Sequence, residues 1–169
     1  MSNLYEMIKK ADARDAEAQY NAADHILQKI SLDKNNPDDK EIIARAIEYL
    51  RNAAMDGYFQ GVAALELGEQ YYSGQYIEKD YRQAVIWFRT ATQKRHPIGY
   101  YRLGCCFYHG HGISQSYAKA FDSFFKGALT GYINNYIKLG DHKKDLVFID
   151  YCLEKYEKGK TNNEEMEGA

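Results

Sequence analysis

The chain has 169 residues, with 22 basic side chains against 24 acidic ones and a net charge of −2 spread along its length. That length suits a single domain with a continuous core, and the even charge offers no basic run to neutralise a row of phosphates, which excludes nucleic acid as an expected partner. No apolar stretch nears the ~20 residues of a membrane crossing, the N-terminus reaches charge too soon for a signal peptide, and Cys105, Cys106 and Cys152 make no disulfide framework, so a soluble, cytoplasmic protein away from membranes is expected.

In chain order, Leu4–Lys10 reads as a short N-terminal helix. A longer helix runs from Ala16 to about Ile30, with Ala22-Ala23 near its middle. The polar loop Ser31–Asp39 follows, containing Asn35-Asn36-Pro37. The next helix lies within Asp38–Met55, carries Ala46, Tyr49, Leu50 and Ala53, and ends at Gly57. From Ala63 to Gly74 the order is small-x-bulky-x-Leu-Gly-x-x-aromatic-aromatic-x-Gly, which places Ala63, Leu67, Gly68 and Tyr71 on one helical face. Asp80 can then cap a helix bearing Ala84, Trp87, Phe88 and Ala91. The same two blocks return 36 residues later, as Gly99–Gly110 and then Ser116, Ala120, Ser123, Phe124 and Gly127. Tyr132–Leu139 is a degenerate copy of the first block, and Lys143–Lys158 is amphipathic, with Leu146, Ile149, Leu153 and Tyr156 opposite Asp150, Glu154, Glu157 and Lys158.

Leu67-Gly68, Leu103-Gly104 and Leu139-Gly140 therefore mark a fixed period of 36 residues. Self-similarity at such a period is the mark of a solenoid, in which each supersecondary unit buries its apolar face on its neighbours. The expected fold is all-α, a right-handed α/α superhelix of about four helix pairs closed by a C-terminal capping helix. Its units are about 1–57, 58–95, 96–131 and a partial 132–158, with a disordered acidic tail at 159–169. Glycine has two recurring tasks in this scheme. Gly68 and Gly104 sit inside helices at a cost of ~1 kcal/mol against alanine, which a second helix crossing too closely for a methyl group explains. Gly74 and Gly110 stand where a helix stops in the left-handed conformation.

One constellation hints at chemistry, Cys105-Cys106-x-x-His109-x-His111. Cys105 and His109 are one helical turn apart and could share a metal or a proton, which makes a thiol- or metal-dependent enzyme or sensor the competing class of function. Zinc sites draw ligand pairs from two elements, and no second pair is evident. No orienting group or oxyanion donors accompany the thiols either. The expectation is no metal, no cofactor and no catalysis.

The blocks Ala16–Ala23, Ala63–Gly74 and Gly99–Ile113, with Asp80–Ala91 and Ser116–Gly131, resemble the Sel1-like repeat (SLR) family, relatives of the tetratricopeptide helix pair. Leu103-Gly104, Phe107, Gly110, Gly112 and Ile113 meet nearly all of its Leu-Gly-x-x-Tyr-x-x-Gly-x-Gly-Val pattern, and Asp80, Ala84 and Trp87 meet its Asp-x-x-x-Ala-x-x-Trp. The similarity covers roughly residues 15–140, departing at Ala22-Ala23, at Tyr76 and in the long Ser31–Asp39 loop. The resemblance implies a protein–protein interaction adaptor or scaffold without a catalytic centre. A sharper form is an inhibitor or immunity-type protein that caps a single target.

By register with tetratricopeptide solenoids, the first helix of each pair lines the concave groove. The resemblance thereby implies a groove with Tyr20, Tyr72, Tyr101 and Tyr108 at its centre, Glu17, Asp24 and Glu69 toward its N-terminal half, and Cys105 and His109 in its third unit. Tyrosine anchors give contact area at low entropic cost, and the acids favour a partner segment carrying basic residues. The competing reading is that the tyrosines fill the inter-helix core with their hydroxyls at its rim. The oligomeric state is left open.

Overall fold

A computed structural model describes residues 2–29, 32–55 and 59–130. Gly57, the expected helices of 132–158 and the tail 159–169 lie outside the described residues. The chain forms α1 (Ser2–Asp12), α2 (Ala16–Asp24), a π-helical turn (His25–Lys29), α3 (Pro37–Met55), α4 (Gln60–Ser73), α5 (Tyr81–Gln93), α6 (Pro97–His109) and α7 (Tyr117–Leu129). Among the described residues there is no strand, and no helix is long and apolar enough to cross a membrane.

Each helix packs on the next, most extensively within the pairs α2/α3, α4/α5 and α6/α7, while α1 closes the stack against α2. Helix α4 also touches α6, so the first helices of successive pairs share one layer. The expected solenoid is the fold observed. Its core alternates small and large: Ala46, Ala53, Ala84, Ala91 and Ala120 are fully buried, and Leu50, Leu67 and Phe88 fill the space they leave. The helix-interior glycines make the closest approaches. A Cβ on Gly68 would stand 2.5 Å from the Phe88 ring, and one on Gly104 would stand 2.6 Å from the Phe124 ring. The crossing therefore closes on an aromatic ring rather than on the partner backbone. Between pairs, α6 leans on α5 where a Cβ on Gly99 would meet the Ala91 methyl at 2.8 Å.

The turn inside each pair repeats as faithfully as the helices. Gly74 and Gly110 end α4 and α6 at φ 69° and 73°. The Asp80 amide then donates to the Tyr71 carbonyl at 3.0 Å, and 36 residues on the Ser116 amide donates to the Phe107 carbonyl at 2.9 Å. The Asp80 carboxylate accepts from the Arg82 and Gln83 amides, at 2.8 and 3.1 Å, and so caps α5.

The N-terminal unit departs from expectation. Helix α1 extends past Leu4–Lys10 at both ends. Helix α3 begins at Pro37, one residue before the expected Asp38, because proline's missing N–H costs nothing in the first turn and the Asn36 side chain accepts from the Asp38 amide at 3.0 Å. The helix expected to reach Ile30 widens into the π turn after Asp24, a local insertion that occurs where a repeat carries Ala22-Ala23 instead of Leu-Gly.

The inter-pair turns hold two residues with positive φ, Arg14 at 62° and Arg95 at 55°. A left-handed conformation costs a side-chain-bearing residue roughly 1–2 kcal/mol, partly offset by the ~0.5–1 kcal/mol that glycine loses in chain entropy. Arg95→Gly is therefore expected to stabilise the fold by about 0.5 kcal/mol, read as a higher urea midpoint with an unchanged slope.

Candidate functional site

Residues at i, i+4, i+7 and i+11 of a helix share a stripe. On α4 that stripe is Val62, Glu66, Glu69 and Ser73, and on α6 it is Ile98, Arg102, Cys105 and His109. Helix α2 and the π turn contribute Glu17, Asn21, Asp24 and Gln28. All twelve are half-exposed or exposed, and the bonds from Gln28 to Glu66 and from Arg102 to Glu69 bring the three stripes onto one side of the stack. Tyr101, expected in the groove, is only 6% exposed, and Leu65 at the same register of α4 is 8% exposed. Tyr101 is thus corrected to a core residue, its ring 5.7 Å from that of Phe124. Glu66 and Arg102 take the half-exposed place on this side instead. They stand at one register position, 36 residues apart, immediately before the Leu of each Leu-Gly step by one residue, and charge at that point in both repeats was the signal available for them.

These two charges organise the face. Gln28 donates through Nε2 to Glu66 Oε1 at 2.8 Å, tying the first pair to the second. Burial pushes the Glu66 carboxyl above its usual range, and the charges of Asp24 and Glu69 push it further. Arg102 donates through Nε to Glu69 Oε1 and ties the second pair to the third. Burial raises the Glu69 carboxyl while Arg102 draws it back down. Glu69, expected as an acid open to a partner, is thus engaged within the protein. At the N-terminal end Tyr20 stacks on Phe59, with ring centroids 5.0 Å apart and planes 9° off parallel. Its phenol is pushed up to about 12, chiefly by burial and then by Glu66 and Asp24.

Tyr72, Tyr108 and His109 gather with Tyr81, His111 and Tyr117 where the two intra-pair turns meet. The Tyr72 hydroxyl bonds His111 Nδ1 at 2.8 Å, and its ring meets that of Tyr81 edge-on at 5.0 Å. His111 stacks on Tyr81 at 4.5 Å and on His109 at 5.2 Å. Tyr108 presents its edge to His109 at 4.8 Å and to Tyr117 at 5.3 Å. Of the expected anchors, Tyr72 therefore serves the joint between repeats, while His109 stays exposed. Gly112 completes the joint at φ 70°, its Cα so close to the Tyr81 peptide that a Cβ would lie 2.2 Å from that carbonyl oxygen.

Desolvation, then His109 and Lys79, hold the His111 imidazole below its ordinary value, and burial does the same for His96. A base with a depressed folded value binds fewer protons folded than unfolded, so its stabilisation is present above the ordinary histidine range and is lost as pH falls through it. The melting temperature is expected to drop between pH 7.5 and 5.5, and to drop less in His111→Gln.

The thiol pair divides sharply. Cys106 is fully buried, and its thiol is pushed up to about 12, mainly by desolvation and then by Cys105 and Glu69. It carries almost no thiolate at neutral pH and is no nucleophile. Among the described residues no group of three His, Cys, Asp or Glu side chains could hold a metal ion.

The Sel1 repeat family matches at residues 39–58, 61–96 and 97–122, of which the second takes in most of α4 with α5 and the third α6 with the start of α7. Among solved structures the chain is similar to a Sel1 repeat protein from Oxalobacter formigenes, with 26% identity and a TM-score of 0.62 over 83% of this chain and 99% of that one. It is also similar to cysteine rich protein B of Helicobacter pylori, with 21% identity and a TM-score of 0.52 over 76% of this chain and 89% of that one, a likeness of fold alone. No curated protein matches the sequence.

Proposed function

The chain belongs to the Sel1 repeat family, and from that premise we propose that it is an adaptor that holds a basic segment of a partner protein along the inner face of α2, α4 and α6. Sel1 repeats are in general scaffolds for protein–protein interaction. The observation that carries the finer reading is the charge of the inner stripe, where Glu17, Asp24, Glu66 and Glu69 stand against Arg102. Arg102 is committed to Glu69, which leaves Asp24 and Glu66 facing one another across α2 and α4. A lysine or arginine side chain laid between them relieves that repulsion, and charge complementarity of this kind fixes partner and register. His109 and the rim of Tyr108 supply aromatic contact at the far end. Cytoplasmic residence accords with the buried Cys106 remaining a thiol.

The test compares wild type with Asp24→Lys/Glu66→Lys as bait in the native host's lysate, with circular dichroism confirming an unchanged fold. A protein captured by wild type should bind the variant at least about tenfold more weakly. One stoichiometric partner would mark a dedicated inhibitor of a single target, and several partners sharing a basic segment would mark an adaptor. Equal capture by both baits would remove the inner face from the proposal.

A further inference from the structure

Glu48, Ile86 and Asp122 each stand two residues after the matching alanines Ala46, Ala84 and Ala120, and so share one register position of α3, α5 and α7. In α3 and α7 that position holds an acid among bases, and Asp122 pairs there with Lys126 at 2.8 Å. In α5 it holds isoleucine, 51% exposed. Arg82 and Arg89, one turn to either side of Ile86, are thereby left exposed, and among the described residues neither forms an ion pair. The whole of α5 carries these two arginines and no acid, whereas a helix face that serves water alone intersperses both signs. The stripe looks away from α4, because Phe88, which lies on the opposite side of α5, is the residue set against Gly68.

Helix α2 is the converse. It has two acids, Glu17 and Asp24, and no base, and neither acid is paired among the described residues. Glu17 and Asp24 are seven residues apart, as are Arg82 and Arg89, so each pair spans two helical turns, about 10 Å. On α4, Glu66 and Glu69 lie opposite Gly68, the residue that faces α5, and Gln28 ties α2 to that same side. The acidic stripe and the arginine stripe therefore look in opposite directions and cannot meet within one copy. We propose that they meet between copies: the Arg82–Arg89 stripe of one chain seats on the Glu17–Asp24 stripe of a second, with Ile86 against the half-exposed Tyr20 ring. Arginine and carboxylate pair through two parallel hydrogen bonds. Exposed pairs contribute little singly and are screened by salt, so the contact is weak, with a Kd on the order of 0.1 mM. It is heterologous, joining unlike surfaces head to tail. Resting on the reading of the α2, α4 and α6 side as the binding face, it makes a second copy the resident occupant, which a partner's basic segment must displace.

Sedimentation of the full chain, from about 10 µM to 1 mM, tests this. At low salt the weight-average mass should climb above the 19.5 kDa of one chain, and high salt should return it to that value. Arg82→Glu/Arg89→Glu and Glu17→Lys/Asp24→Lys should each, alone, associate at least about tenfold more weakly. Mixed, the two variants should associate again, because the first keeps the acids of α2 and the second keeps the arginines of α5. If either double variant fails to fold, Ile86→Asp decides the matter. It returns to α5 the acid of α3 and α7, and should weaken association by a similar factor. A wild type that stays monomeric at low salt would overturn the proposal, as would association that no variant weakens or a mixture that stays monomeric. A monomeric wild type that still captures a partner lost in Asp24→Lys/Glu66→Lys would overturn the contact between copies alone and leave the inner face as the binding face.

Discussion

Phe88→Ala should remove about 3–5 kcal/mol of stability, the range for deleting a fully buried phenylalanine, seen as a large fall in urea midpoint. The ring is 0% exposed, lies 6.1 Å from that of Tyr72, and covers the bare Cα of Gly68. A loss of that size is a large share of the 5–15 kcal/mol that holds a typical domain. The neighbouring glycine sharpens the test. Gly68→Ala gains ~1 kcal/mol of helix propensity, yet its Cβ would stand 2.5 and 2.6 Å from two ring carbons of Phe88. Overpacking of a fixed core costs typically 1–3 kcal/mol, so the single variant is expected to be destabilised. In a Phe88→Leu background the added methyl has room, and the double variant should be more stable than the sum of the two losses allows. A stabilised Gly68→Ala, or strict additivity, would show that the ring can move aside and that the crossing is looser than described.

Gly112→Ala is the second large effect, about 3 kcal/mol. Its φ of 70° costs an alanine roughly 1–2 kcal/mol. The added Cβ would also stand 2.2 Å from the Tyr81 carbonyl oxygen and 2.7 Å from the Arg82 nitrogen, atoms fixed at the start of α5. The turn must then lift, and the bond from Tyr72 to His111, worth ~1 kcal/mol, goes with the Tyr81–His111 stack. Gly110 is the control. It has nearly the same φ, 73°, but its Cβ would meet nothing nearer than Gln115 Cβ at 3.4 Å, so Gly110→Ala should lose only the conformational ~1–2 kcal/mol. Equal losses at the two positions would mean that Gly112 is required for its φ alone.

The helix pairs, the left-handed helix ends and the close crossings at Gly68 and Gly104 were legible because each depends on residues near in sequence and repeats at a fixed interval. The inner face was legible only by register, and a shift of one residue sufficed to exchange Tyr101 for Arg102. A helix turns 100° per residue, so that error carries a side chain from water into the core. Tyr101 is amphipathic and reads equally well on either side, whereas Arg102 and Glu66 do not. The role of Tyr72 was hidden for another reason. Its partner His111 lies 39 residues away, in the next repeat's turn, and no local pattern reports such a contact. The π turn was invisible because an inserted residue alters hydrogen bonding without altering composition.

That the turn between α4 and α5 is closed by later chain has a consequence for synthesis on the ribosome. The start of α5 is covered by Gly112, and the Tyr72 hydroxyl finds its partner in His111. Both come from chain made later than the helices they complete. A nascent chain that has emerged only through Gln93 thus has all the residues of its second pair and still lacks that pair's lid. Completion of that pair must trail translation by about half a repeat, until His111 and Gly112 have emerged. Until then the second pair is open to chaperones and proteases although all its own residues are made.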